Sequence, residues 1–137
     1  MWHMQIEILT LCRDAIIDTH TLIISGIGRT NMFIGKTLPV KITLSVVLKI
    51  RFETGDGGKH KLELSLKDAD MQPVIINGKA LGEVKNINVQ IENSSLAYFH
   101  IGKYNGVLFE KPGDYCFELK VDGETMGQIP LYLRQKI

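Results

Sequence analysis

Between Lys41 and Phe52 the chain alternates. Ile42, Leu44, Val46, Leu48, Ile50 and Phe52 share one parity, and Lys41, Thr43, Ser45, Lys49 and Arg51 share the other. Helical spacing would set apolar residues three and four apart; a spacing of two predicts a β-strand with one buried face. Thr54-Gly55-Asp56-Gly57-Gly58 reads as a flexible hairpin loop, and Leu62, Leu64 and Leu66 alternate with Lys61, Glu63, Ser65 and Lys67 as the partner strand. Apolar residues inward and charges outward predict a sheet with one side in water. The C-terminal third repeats the grammar. Pro112-Gly113 marks a turn, Tyr115, Phe117, Leu119 and Val121 fall on one face, Asp122-Gly123 is a hairpin dipeptide, and Ile129, Leu131 and Leu133 resume the alternation.

The remaining segments are shorter. Residues 5–12 predict a first strand, Ala15-Ile16-Ile17 a second, Asp18-Thr19-His20 a turn and Thr21–Ile24 a third strand. Gly26 and Gly28 predict a bend in the sheet, and Met32-Phe33-Ile34-Gly35 leads into a loop ending at Pro39. Val74-Ile75-Ile76 predicts a short strand closed by a type I′ turn at Asn77-Gly78. Residues 84–92 form a strand with Ile87, Val89 and Ile91 inward. Asn93–Asn105 fits either a strand or an irregular turn over an open end, and Val107-Leu108-Phe109 is a further short strand. The pattern predicts one all-β domain, 1–137: an antiparallel β-sandwich of about eight to nine strands, immunoglobulin-like or jelly-roll-like. Met1, Trp2, His3 and Met4 are set aside as tag-derived or disordered.

The order of these pieces resembles a bacterial family of single-domain β-sandwich proteins of unknown function. The likeness rests on Leu11-Cys12-Arg13-Asp14-Ala15, the Thr21–Arg29 strand with its glycine bend, and the long Pro39–Phe52 strand. It continues through His60–Asp70 with Pro73 beyond, and the Pro112-Gly113-Asp114-Tyr115 and Val121-Asp122-Gly123 turns. The resemblance implies an immunoglobulin-like or jelly-roll-like sandwich of bacterial or phage origin. It implies no activity and no site residues.

Composition narrows the partners. At 137 residues with 45% hydrophobic positions the chain can bury a real core. Sixteen basic residues against fifteen acidic give a net charge of +1, without the basic excess of a nucleic-acid binder, so nucleic acid is not expected as a partner. No apolar run is long enough to span a membrane, so no membrane partner is expected. No signal peptide precedes Cys12 and Cys116, and Cys116 falls on the polar face; both are expected as free thiols in a reducing, cytoplasmic setting.

Catalytic constellations are missing from the pattern. His3, His20, His60 and His100 are scattered, with no His-x-His or His-x-Asp pair for a metal. Asp68 and Asp70 flank a turn, where aspartates usually bond their own backbone, and two carboxylates fall short of calcium's oxygen count. Gly26-x-Gly28 lacks the third glycine and following helix of a dinucleotide loop. No serine sits in a nucleophile elbow, and no local histidine activates Cys12 or Cys116. No cofactor or metal is expected. Tyr115 resembles the corner tyrosine whose hydroxyl ties a loop to the body of such domains.

The chain therefore reads as a non-catalytic binding or assembly module working through edge strands and end loops. A protein partner or homo-oligomer comes first, seeded by Val47, Ile34 or Val107. The alternative is a carbohydrate or small ligand held by Tyr98, Phe99 and Tyr104; an enzyme with a metal on dispersed histidines comes last.

Overall fold

The computed structural model describes residues 4–91 and 95–136. Among them lie twelve strands and no helix: β1 (Gln5–Cys12), β2 (Asp14–Asp18), β3 (Thr21–Ser25), β4 (Met32–Gly35), β5 (Val40–Glu53), β6 (Gly58–Lys67), β7 (Ile75–Ile76), β8 (Lys79–Ala80), β9 (Gly82–Val89), β10 (Ser95–Phe109), β11 (Gly113–Val121) and β12 (Glu124–Gln135). A three-stranded sheet has the order β1-β5-β10, and a five-stranded sheet the order β4-β12-β11-β6-β9. The chain is all-β, as its alternation predicts. The strand count exceeds the expected eight to nine because two small hairpins, β2-β3 and β7-β8, stand apart from the main sheets.

The core lies where the two sheets meet. Ile42, Leu44, Val46, Leu48, Ile50 and Phe52 of β5 join Leu62, Leu64 and Leu66 of β6, Phe117, Leu119 and Val121 of β11, and Ile129, Leu131 and Leu133 of β12 in one cluster. Met4 is also buried there. Cross-strand pairs set the register within the second sheet, with Leu66 opposite Phe117 and Leu64 opposite Leu119. Tyr104 of β10 meets Phe117 across the sheets, ring centres 5.3 Å apart.

Four expectations need correction. The 54–58 loop is not a hairpin within one sheet: β5 pairs with β1 and β10, while β6 pairs with β9 and β11. The loop crosses from one sheet to the other, since a strand across the core needs the same inward alternation as a neighbour in the sheet. Val47 is not exposed. The β2-β3 hairpin covers that part of the sheet's outer face, and Cys12, Ala15, Leu22 and Ile24 close over Val47, leaving it 0% exposed. Val107 is likewise buried, so of the three proposed contact seeds only Ile34 is open, at 65%. Finally, Met32–Gly35 is a strand, and it runs parallel to β12.

Other local readings match. Asn77 and Gly78 carry the two positive φ values of a type I′ turn, 53° and 78°, and join β7 to β8. Most of the unassigned 93–105 segment is strand: β10 runs from Ser95 with a bulge between Tyr104 and Val107, while residues 93 and 94 fall outside the described set.

Candidate functional site

Three polar regions lie around this core: a joint between the sheets, a closed end and an open end.

The joint contains the predicted aromatic residues. Along β10, Tyr98, His100, Gly102 and Tyr104 pair with Ile50, Leu48, Val46 and Leu44, so they share the core-facing parity; Phe99 has the opposite parity. Tyr98 and Tyr104 are thus brought to one face, and Phe99 is not. Tyr104 is 9% exposed and donates to Glu83 Oε1 at 3.2 Å; His100 Nε2 lies 3.0 Å from the same oxygen. The His100 contact pulls the Glu83 carboxyl below its ordinary range, while burial, then the charge of Glu83, pushes the Tyr104 phenol up. A Cβ at position 102 would fall 2.4 Å from Glu83 Oε1, so glycine there admits the carboxylate. Lys85 Nζ sits 5.7 Å from the Tyr98 ring centre, and the buried Tyr98 hydroxyl has no hydrogen-bond partner among the described residues. Glu83 and Lys85 belong to β9, an edge strand, where inward-facing charges discourage pairing with a foreign strand.

The closed end is built around His60. Its Nδ1 lies 2.7 Å from Asp122 Oδ2 and its Nε2 2.6 Å from the Asp56 carbonyl oxygen. A carboxylate and a carbonyl are both acceptors, so engaging both at once takes a proton on each ring nitrogen, and the site favours the imidazolium form of His60. Burial would push its pKa down, but the Asp56 carbonyl and Asp122 outweigh burial and raise it. Burial would raise Asp122, yet the Lys61 N–H and His60 hold it low. Asp122 Oδ1 accepts the Lys61 N–H at 2.8 Å, and Asp56 Oδ2 accepts the Glu53 N–H at 2.9 Å. The clasp ties the sheet-crossing loop to the β11-β12 turn. No sequence signal joined these residues.

The open end is a cleft of about 430 Å³ between residues 68–77 and the β10-β11 turn. That volume falls within the ~300–1,000 Å³ of ligand sites. Val74, Ile76, Leu108 and Phe109 supply apolar lining; Asp70 and Glu110 stand among the polar residues. Asp68 Oδ1 accepts the N–H groups of Asp70 and Gln72, both at 2.9 Å, which is the turn role expected of it. Tyr115 donates to the Lys111 carbonyl at 2.6 Å, the tie its position predicts, and its ring meets Phe109 edge-on at 5.1 Å. Asp114 pairs with Arg134 at 2.7 Å. The carboxylates of Asp70 and Glu110 have no hydrogen bond or ion pair among the described residues.

His20 is exposed in the β2-β3 turn, and His3 lies outside the described residues. Among the described residues no group of three or more His, Cys, Asp or Glu side chains is placed to hold a metal ion. Cys12 and Cys116 are free thiols. No described helix is long and apolar enough to cross a membrane.

A family model described as "Family of unknown function (DUF6941)" matches residues 7–134. No curated protein matches the chain. Among solved structures, the chain is similar to part of the Pseudomonas fluorescens alkylpurine DNA glycosylase AlkC bound to DNA containing an abasic site analog. The TM-score is 0.52 and the identity 10%, with 97% of this chain covering 31% of that one. That likeness is one of fold, and this chain spans about a third of that protein. It overturns the exclusion of nucleic acid drawn from net charge. Net charge sums over the whole surface, whereas binding depends on where unpaired cations lie.

Proposed function

The chain belongs to that family of unknown function, and we propose that it is a non-catalytic binding module whose open end holds a segment of a protein partner. The finer fold reading goes with this: an immunoglobulin-like sandwich, supported by the Tyr115 tie to Lys111.

One observation carries the proposal. The cleft of about 430 Å³ joins an apolar lining to two carboxylates, Asp70 and Glu110, that the chain leaves without partners among the described residues. Several carboxylates outside the cleft are engaged: Glu7 with Lys49 and Arg51, Asp14 with Lys103, and Asp122 with His60. An acidic rim over aliphatic walls suits a lysine or arginine side chain beside an apolar residue. Tyr98, Phe99 and Tyr104 face both sides of β10, which makes the carbohydrate reading the lesser one.

Selection of random peptides on immobilised protein, repeated with the Asp70→Asn/Glu110→Gln variant, tests the proposal. Enrichment of cationic, aliphatic peptides that the variant fails to hold supports it. Equal retention by both proteins, or no enrichment, overturns it.

A second reading is contact with nucleic acid, favoured by the likeness to part of a protein solved on DNA. Retention of a short duplex that weakens steeply with salt supports it. No retention at about 50 mM salt would remove it.

A further inference from the structure

The β2-β3 hairpin is apolar on both faces. Ala15, Leu22 and Ile24 on its inner face close over Val47. On its outer face Ile16 and Ile23 stand opposite each other, 50% and 45% exposed. An antiparallel pair with one buried face ordinarily carries polar residues on the other.

The two edges of the hairpin differ. β2 lies over β5 and β10, with Asp14 tied to Lys103 at 3.1 Å, and β3 is the outboard strand. The β3 sequence, Thr21-Leu22-Ile23-Ile24-Ser25, holds none of the charges or prolines that guard an exposed edge. Its register shows which backbone groups are open. Asp18 and Thr21 close a two-residue turn as a hydrogen-bonded pair. Bonded and unbonded pairs alternate from there, so Ile16-Ile23 is bonded while Ile17-Leu22 and Ala15-Ile24 are not. Leu22 and Ile24 therefore direct their N–H and C=O groups to the outer edge, where no backbone group of the described residues takes them.

We propose that this edge pairs with the same edge of a second copy of the chain, the two hairpins joining as one four-stranded antiparallel sheet. A two-fold axis at Ile23 sets Ile23 against Ile23, Leu22 against Ile24 and Thr21 against Ser25. The Leu22-Ile24 pair occurs twice and exchanges two N–H···O bonds each time, which satisfies every open donor of both edges. On the outer face the isoleucines at 16 and 23 of both copies fall in one row. Charge selects β3 over β2. The same pairing through β2, about Ile16, would set Asp14 against Asp18 twice, and like charges directly opposite repel. The β3 edge shares no residue with the acidic cleft and does not depend on it.

The test is sedimentation equilibrium of the full chain over a range of concentrations. One short strand pair is a small interface, so a dimer at roughly 500 μM that dissociates on dilution to roughly 5 μM is expected. Ile23→Lys sets two ammonium groups face to face and should weaken the dimer by about tenfold or more. The side chain is half exposed, and circular dichroism checks that the variant keeps its fold. Cysteine variants locate the contact, with oxidised glutathione as oxidant and wild type as the control for Cys116. Across the axis the Ile23 Cα atoms stand about 4.5 Å apart, within disulfide reach, so Ile23→Cys should cross-link. Ile16→Cys lies on the same face, but the two copies of that position are three strand spacings apart, roughly 14 Å, and should not. A monomer at every concentration overturns the proposal. So does a dimer that Ile23→Lys leaves unchanged, one that Ile16→Cys traps as readily, or one that only Asp70→Asn/Glu110→Gln disrupts.

Discussion

The two ends of the molecule use polar residues in opposite ways. At the closed end, His60, Asp122, Asp56 and the Lys61 backbone satisfy one another, and both protons of the imidazolium are engaged. At the open end the Tyr115 tie and the Asp68 turn hold the walls, while Asp70 and Glu110 face the cleft unused. A polar group engaged within the chain stabilises the fold; one left free on a fixed wall is available to a partner. The contrast separates positions that hold the structure from positions that can bind.

The largest expected effect tests the core both ends share. Phe117 is 1% exposed and touches Tyr104 across the sheets. Phe117→Ala should cost about 3–5 kcal/mol, much of a stability of ~5–15 kcal/mol. Urea unfolding followed separately at the two ends should keep a single transition, shifted as a whole. Two separate transitions would mean that the ends do not share one cooperative core.

Next comes the clasp. Asp122→Asn keeps the shape and the tolerance for the positive φ of 52° but removes the charge facing His60. A loss of roughly 1–2 kcal/mol is expected as a fall in urea midpoint at unchanged slope. An unchanged midpoint would show that the clasp holds nothing.

His60 makes that effect pH-dependent. Its folded pKa is raised, so the protonated clasp contributes fully below the unfolded value of about 6.5 and is lost as pH rises through the higher folded value. Asp122 works in the other direction: its pKa is lowered, so its contribution is present above about 3.9 and lost on acidification through the folded value. Between those limits the clasp is strongest. The wild-type urea midpoint should fall as pH rises from about 6 to about 8.5, and His60→Gln should flatten that fall. An equal fall in the variant would assign the pH dependence to another group.

Legibility in the sequence follows the range of each interaction. The β5 alternation, the Asn77-Gly78 turn and the Tyr115 tie depend on residues at most a few positions apart, and all were readable. Which sheet receives β6 was not, because inward alternation is the same for a neighbour and for a strand across the core. Val47 looked exposed because its cover, β2-β3, lies some thirty residues upstream. The irregular pattern of β10 has a cause too: its inner row holds tyrosine, histidine and glycine because Glu83 and Lys85 of β9 meet it. The cleft joins residues 68–77 to 108–115, and nothing local announces that meeting.

The smallest effect on stability sharpens the comparison most. Asp70→Asn with Glu110→Gln removes two carboxylates that make no hydrogen bond or ion pair among the described residues. Surface changes of that kind stay within about 0.5 kcal/mol, and removing mutual repulsion beside Asp68 would if anything raise the midpoint slightly. Peptide binding at the cleft should nevertheless fall, because the charge opposite the ligand's cation is gone. Asp122→Asn should do the reverse, lowering stability while leaving peptide retention intact at temperatures where the variant is folded. A loss above about 1 kcal/mol in the double variant would give these carboxylates a structural role. The open end would then differ from the closed end only in shape, and its claim to bind a partner would fail with the contrast.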